Sequence, residues 1–301
     1  MKPKLLFFCI LLIFTGLLPM SAFAQQNQIP IFVVATFDYP GAGNSTTPLD
    51  INERGEIVGY YVDANNVRRG FLRRLNGNFT AIVAPNDTGN YTTAFSINNN
   101  QTITGDYFNN ADAVYHGFLR RNGVYTQYDG GGAWNGTGIL GINDNEDFVG
   151  GITDPVAPQR SFVNIGGTQT FINIPGAFES VAYGINNANR AVGFYRDAGL
   201  VYHGFIRSAN GALTNPVDFP GSSSTNLQGI NNRGWIVGRY TDAQGREHGL
   251  FRKNASTYVS FDYPNATATS INGINDYGFI VGRYTDAAGR RHGFAAFALA
   301  F

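Results

Sequence analysis

The stretches "INNRGWIVGRYTDAQGREHGLFRK", Ile230 to Lys253, and "INDYGFIVGRYTDAAGRRHGFAAF", Ile274 to Phe297, are two copies of one pattern set 44 residues apart. Four further copies open at Ile51, Ile97, Ile142 and Ile185, so that Ile-Asn recurs at spacings of 46, 45, 43, 45 and 44 residues. Each copy is followed by a second motif, as in "RRGFLRR" from Arg68, "YHGFLRR" from Tyr115, "QRSFVNI" from Gln159 and "YHGFIRS" from Tyr202. Each is preceded by a third, as in "TFDYPG" from Thr36, "FINIPG" from Phe171 and "SFDYPN" from Ser260. Self-similarity at a fixed period of this size marks a repeat architecture, because one such unit cannot bury its apolar faces alone.

Within a unit, short β-branched and aromatic runs alternate with Gly, Asn and Asp clusters about every 11 residues, which predicts consecutive antiparallel strands, four to a unit. The Asn of Ile-Asn is suited to accept a bond from the backbone two residues on, and Gly55, Gly234 and Gly278 suit a left-handed residue closing the hairpin. Gln101, Glu146 and Asn189 stand at that place in the second to fourth units, where the turn is expected to be strained or rearranged. The fold class that follows is all-β, a six-bladed β-propeller built from six four-stranded repeats of about 44 residues. A strand near residues 31–39 is placed to pair with the last unit and clasp the ring. A different cut, with each blade starting at the Pro motif, needs no clasp. The all-β rival is a transmembrane barrel, since "FAAFALAF" alternates and ends in an aromatic. Its strands need about 9 to 11 residues, and this period leaves about six or seven once hairpin turns are removed.

Residues 1–24 carry a basic start (Lys2, Lys4), an apolar run from Leu5 to Leu18 and the small-residue end Ala22-Phe23-Ala24, which reads as a signal peptide. Residues 25–301 then form the propeller, secreted or periplasmic, with no membrane span after cleavage. Cys9 is the only cysteine and lies within the leader, which excludes disulfides and cysteine chemistry in the mature chain. The 21 basic and 21 acidic residues balance, and two of the lysines belong to the leader, so a cationic nucleic-acid binder is not expected.

The composite "GINxxGxIVGxYxDxxGxxHGF" resembles the repeat of the bacterial extracellular repeat proteins called the HAF family, whose repeats join a Gly-Ile-Asn turn, a Val-Gly strand and a His-Ala-Phe strand. The resemblance spans nearly the whole mature chain and implies secretion and a propeller-like fold, with no particular reaction. In this chain the last element carries His116, His203, His248 and His292, with Arg69 and Arg160 in the two remaining units.

All four histidines therefore occupy one repeat position, and a donor recurring once per blade is expected to bond a neighbouring turn, such as Asp242 or Asp286, rather than to catalyse or to hold metal. The Asn at 52, 98, 143, 186, 231 and 275 and the Gly at 59, 105, 150, 193, 238 and 282 read as scaffold by the same multiplicity. Recognition is expected where the repeat is broken. The residue after that Gly is Tyr60, Asp106, Gly151, Phe194, Arg239 or Arg283, and these six would line one mouth of an axial channel, with Asp106 facing two arginines. Tyr60, Asp106, Phe194, Arg239 and Arg283 are thus the candidate ligand-binding residues, suited to an anionic or sugar-like ligand or to simple ion pairing. Trp134 and exposed tyrosines are further candidates for stacking on sugars. No calcium loop, nucleophile elbow or phosphate loop is found, and no cofactor, metal or catalytic residue is expected. The functional expectation is a non-catalytic binding or interaction module for an extracellular glycan, small ligand or protein. The rivals are a propeller-fold hydrolase or lyase acting on extracellular polysaccharide, and a purely structural surface protein.

Overall fold

The computed structural model describes residues 29–131, 136–154 and 157–300, and every regular element among them is a β-strand. The expected leader, residues 1–24, and Trp134 lie outside the described residues. Units two to five each form a separate four-stranded antiparallel sheet with strands in sequence order. The fifth sheet has eight strands. It holds the four strands of unit one, from Ala42–Ile51 to Phe79–Ile82, and the three strands of unit six, from Ala268–Ile274 to Arg291–Ala298. Ile31–Phe37 completes unit six from the other end of the chain, pairing antiparallel with Arg291–Ala298 from Ile31↔Ala298 to Phe37↔Gly293. One parallel pairing, Ser45 with Arg291, joins the two halves of this sheet. The expected clasp is therefore present. A membrane barrel would be a single sheet closed on itself, and the strands here fall into five sheets. Among the described residues no helix is long and apolar enough to cross a membrane.

The Ile-Asn turns explain how neighbouring units are held in line. In unit one Asn52 Oδ1 accepts from the backbone N–H of Arg54 and of Glu56, each at 3.0 Å, and so closes its own hairpin. Its amide Nδ2 donates across the unit boundary to the carbonyl of Asn98. Asn98 donates to Asn143, Asn143 to Asn186, Asn186 to Asn231, Asn231 to Asn275, and Asn275 back to Asn52, at 3.0 to 3.1 Å. The circuit of six bonds is closed. Gln101, Glu146 and Asn189 keep the turn unrearranged by adopting the left-handed conformation themselves, with φ of 64°, 63° and 56°. For residues other than Gly that conformation costs about 1–2 kcal/mol. Each is anchored by its side chain: Gln101 donates to Glu56, Glu146 accepts from Thr102 and Arg121, and Asn189 accepts from Asn143.

The recurrent strand Gly is required by a close approach. In every unit the innermost strand bulges opposite it, between Pro48 and Asp50 in unit one and between Ala182 and Gly184 in unit four. A Cβ at Gly59 or Gly193 would overlap the carbonyl oxygen of Thr47 or Val181 and the ring of Phe71 or Phe205. Among the described residues the core is correspondingly divided into six clusters, one at each boundary between consecutive units. At the last boundary Val281 and Ala295 of unit six pack with Ile51, Ile57, Tyr61 and Phe71 of unit one. Substituting Asn186→Ala removes one buried bond between units and two part-buried hairpin bonds, and is expected to cost about 3 kcal/mol. Denaturant midpoints measure this, and a loss under about 1 kcal/mol would contradict the role given to the circuit.

Candidate functional site

Strand register places the six repeat-breaking residues at one level. Tyr60, Asp106, Gly151, Phe194, Arg239 and Arg283 pair with Thr47, Thr93, Gly138, Val181, Asn226 and Ser270 of the innermost strands. The centre of the group is Tyr183, which the sequence reading missed. Burial raises its phenol above the usual tyrosine range, Arg239 pulls it down, and Asp106, Tyr60 and Tyr202 also act on it. The Phe194 ring lies 5.8 Å from Tyr183 and 5.2 Å from Tyr202. Arg283 interacts with Arg239, Arg291 and Tyr60, so four of the five candidates are tied electrostatically and Phe194 by contact. Gly151 contributes no side chain, and Gln159 covers it.

The expected facing of Asp106 toward two arginines is corrected by the structure. Arg239 and Arg283 share Glu247, with Arg239 Nε 3.3 Å from one carboxylate oxygen and the Arg283 guanidinium 2.9 Å from the other. The cation that acts on Asp106 is Arg68, whose guanidinium lies over Tyr60 at 4.1 Å and over Tyr91 at 4.4 Å and donates to the Tyr91 hydroxyl. Glu247, Arg68, Tyr202 and Arg291 precede the third-strand Gly by two residues. Residues two apart on a strand share a face, and that Gly pairs with the candidate position, as in Tyr60↔Gly70 and Arg239↔Gly249. Burial pushes the Asp106 carboxyl up to about 7 against the pull of Arg68, and its Oδ1 is buried with no hydrogen-bond partner. The mouth thus sets Arg68, Arg239, Arg283 and Arg291 against Glu247 and a carboxyl that holds its proton to near neutrality.

The histidines are clamps between two carboxylates. His248 Nε2 meets Asp242 at 3.0 Å and Nδ1 meets Asp262 at 2.8 Å, and His116 sits in the same way between Asp112 and Asp129. His203 lies between Asp197 and Asp218, and His292 between Asp286 and Asp38. The bond to the turn Asp is the one expected at Asp242 and Asp286. The second Asp belongs to the outer strand's motif, and at His292 it lies on the segment that follows Ile31–Phe37, so this clamp also ties the chain's ends. Each imidazole packs against a tyrosine, as His248 does on Tyr240 at 4.9 Å. Burial opposes charge on His292, yet its bonds to Asp38 and Asp286 raise its affinity for a proton. Among the described residues no group of three His, Cys, Asp or Glu is placed to hold a metal ion.

No family model and no curated protein matches the chain. Solved structures do. The β-propeller domain of the trilobed protease from Pyrococcus furiosus matches with a TM-score of 0.53 at 10% identity, over 86% of this chain and 84% of that one. TolB from Acinetobacter baumannii matches with a TM-score of 0.55 at 8% identity, over 80% and 63%. A mutant of the Aleuria aurantia lectin in complex with Fucα1-6GlcNAc matches with a TM-score of 0.53 at 12% identity, over 84% and 91%. The chain has the β-propeller fold, which at these identities is all that the likeness establishes.

Because the folded state holds the Asp106 proton to about pH 7 and the unfolded chain releases it near 3.8, this carboxyl's contribution to stability falls as pH rises between those values. Asp106→Asn is expected to melt several degrees above the parent at pH 8 and to lose that advantage at pH 4. Thermal scans at the two pH values decide it, and a gain independent of pH would reject the assignment.

Proposed function

We propose that the chain is an exported six-bladed propeller whose function is non-catalytic binding of an extracellular ligand, with a glycan carrying acidic groups as the class that best fits the mouth. The six four-stranded units are the blades, and the eight-stranded sheet is blades six and one meeting at a single pairing. Export rests on the leader-like residues 1–24 and on the resemblance of the repeat to extracellular HAF-type proteins. The observation that carries the binding role is the excess of guanidinium groups at the mouth. Arg239 and Arg283 must share one carboxylate, and Arg291, which is exposed, has no ion pair among the described residues. Guanidinium forks take carboxylates and sulfates through paired, charge-assisted bonds. The rings of Tyr60, Phe194 and Tyr202 beside them suit the apolar face of a sugar.

The rival reading, a hydrolase or lyase on extracellular polysaccharide, is favoured by one observation. Asp106 combines an unpartnered oxygen with a proton affinity near neutrality, the property of a proton-transfer group. Retention on immobilised polygalacturonate, with dextran as the neutral control, separates the possibilities. Selective retention that weakens with salt, falls about tenfold in Arg291→Ala and leaves the polymer intact is the expected result. Shortening of the polymer that stops in Asp106→Asn establishes the enzyme instead. Equal behaviour on both matrices, unchanged in Arg291→Ala, removes the mouth as a binding site.

A further inference from the structure

The other end of the axis holds a cavity of about 90 Å³ into which all six units project. At about 30 Å³ of liquid volume per water, that is room for about three waters, so a small organic molecule seated there would extend past the rim. Its inner wall is formed by the residue two before each Ile-Asn, and this position divides by chemistry. Leu49, Phe95 and Leu140 of units one to three are apolar, whereas Tyr183, Gln228 and Asn272 of units four to six carry hydrogen-bonding groups. Asn272 is used within the fold, bonding Pro48 and Ser270. Gln228 is only 8% exposed and lines the cavity. Its amide offers a donor and an acceptor to the space that a ligand would fill.

The charged side chains that line the cavity are of one sign, with Arg233 acting on Glu53 from outside the lining. Asp50, Glu53, Asp144 and Asp276 line the cavity, and none of its lining residues is Lys, Arg or His. The rim is a second circuit of bonds between units: Asp276 N–H donates to Glu53 Oε1, Glu53 N–H to Asn99, and Asn99 to Asp144. One oxygen is left over, Glu53 Oε2, buried without a partner. The apolar half-wall and the dispersed carboxylates do not suit a bare metal ion, which needs several oxygens converging on one point. They suit a cation that is itself partly hydrocarbon, held by carboxylates and by aromatic faces.

We infer that this cavity is a binding site for a small organic ammonium ion, with Gln228 bonding its polar tail and Glu53 matching its charge. The site stands apart from the arginine-lined mouth, and its existence does not depend on what the mouth binds. Choline and its uncharged isostere 3,3-dimethylbutan-1-ol are suitable probes, titrated calorimetrically at pH 8 into the intact chain. Choline is expected to bind at least tenfold more tightly than the alcohol. Glu53→Gln should bring that ratio close to one. Gln228→Leu should weaken choline at least tenfold while leaving the melting temperature equal or higher; a merely structural glutamine would not separate the two readouts. Arg291→Ala should leave choline binding unchanged even if it abolishes binding of polygalacturonate. Equal affinity for choline and the alcohol, no binding of either, or undiminished choline binding in Gln228→Leu overturns the inference.

Discussion

One hydrogen bond made six times sets the geometry of this molecule. An amide has an acceptor and a donor at opposite corners, and the turn asparagine spends the acceptor on its own hairpin and the donor on the carbonyl of the next unit's asparagine. No other side chain of that size can do both. Aspartate lacks the donor, and serine cannot reach two backbone groups in its own turn and a third in the neighbouring unit. Because each bond ends on the residue that makes the next, the circuit fixes the spacing of the units at the axis. The left-handed Gln101, Glu146 and Asn189 show the strength of this constraint, since the turn is preserved there at the expense of backbone strain.

Closure has an energetic consequence that an open stack of the same units lacks. Six units in a row share five boundaries and leave two apolar faces in water, a problem that open repeat arrays solve with polar caps. Here the sixth cluster, between Val281 and Ala295 on one side and Ile51 and Phe71 on the other, covers both faces, and Asn275 completes the circuit at Asn52. The strand Ile31–Phe37 makes closure a property of backbone pairing, and the His292 clamp to Asp38 adds a polar contact of the kind used three more times within single units. No cysteine is needed for this.

Much of this was legible in the sequence because repetition separates construction from exception. The period gave strand number, the Asn and Gly positions gave turns and close approaches, and the residue after the strand Gly pointed to one end of the axis. Two further signals were available in the residues. Asp38, Asp129, Asp218 and Asp262 occur in the outer-strand motif of the four units that have His, whereas Val83 and Asn173 stand there in the units that carry Arg69 and Arg160, so the second carboxylate of each clamp is readable as a paired change. Glu247 and Arg68 could be placed by alternation along the third strand. What alternation alone does not place is the inner wall at Leu49, Phe95, Leu140, Tyr183, Gln228 and Asn272. A bulge interrupts the ladder at each of these residues, the extra residue has no cross-strand partner, and the rule of two fails where it is needed.

The same bulge explains why the two ends of the axis differ in charge. The extra residue lets the innermost strand present side chains to the axis both above and below the kink. Toward one end, neighbours across the ladder supply the side chains, and those positions carry Arg68, Arg239, Arg283 and Arg291. Toward the other, the turns supply them, and turn chemistry favours Asn, Asp and Glu, which accept bonds from the adjacent unit's backbone. Arginine can serve at the first set of positions but not at the second, because it has no acceptor with which to complete a rim built from N–H donors. The polarity of the axis is thus a consequence of which end holds the turns, and Tyr183, which borders the cavity and interacts with the mouth, stands where the two regimes meet.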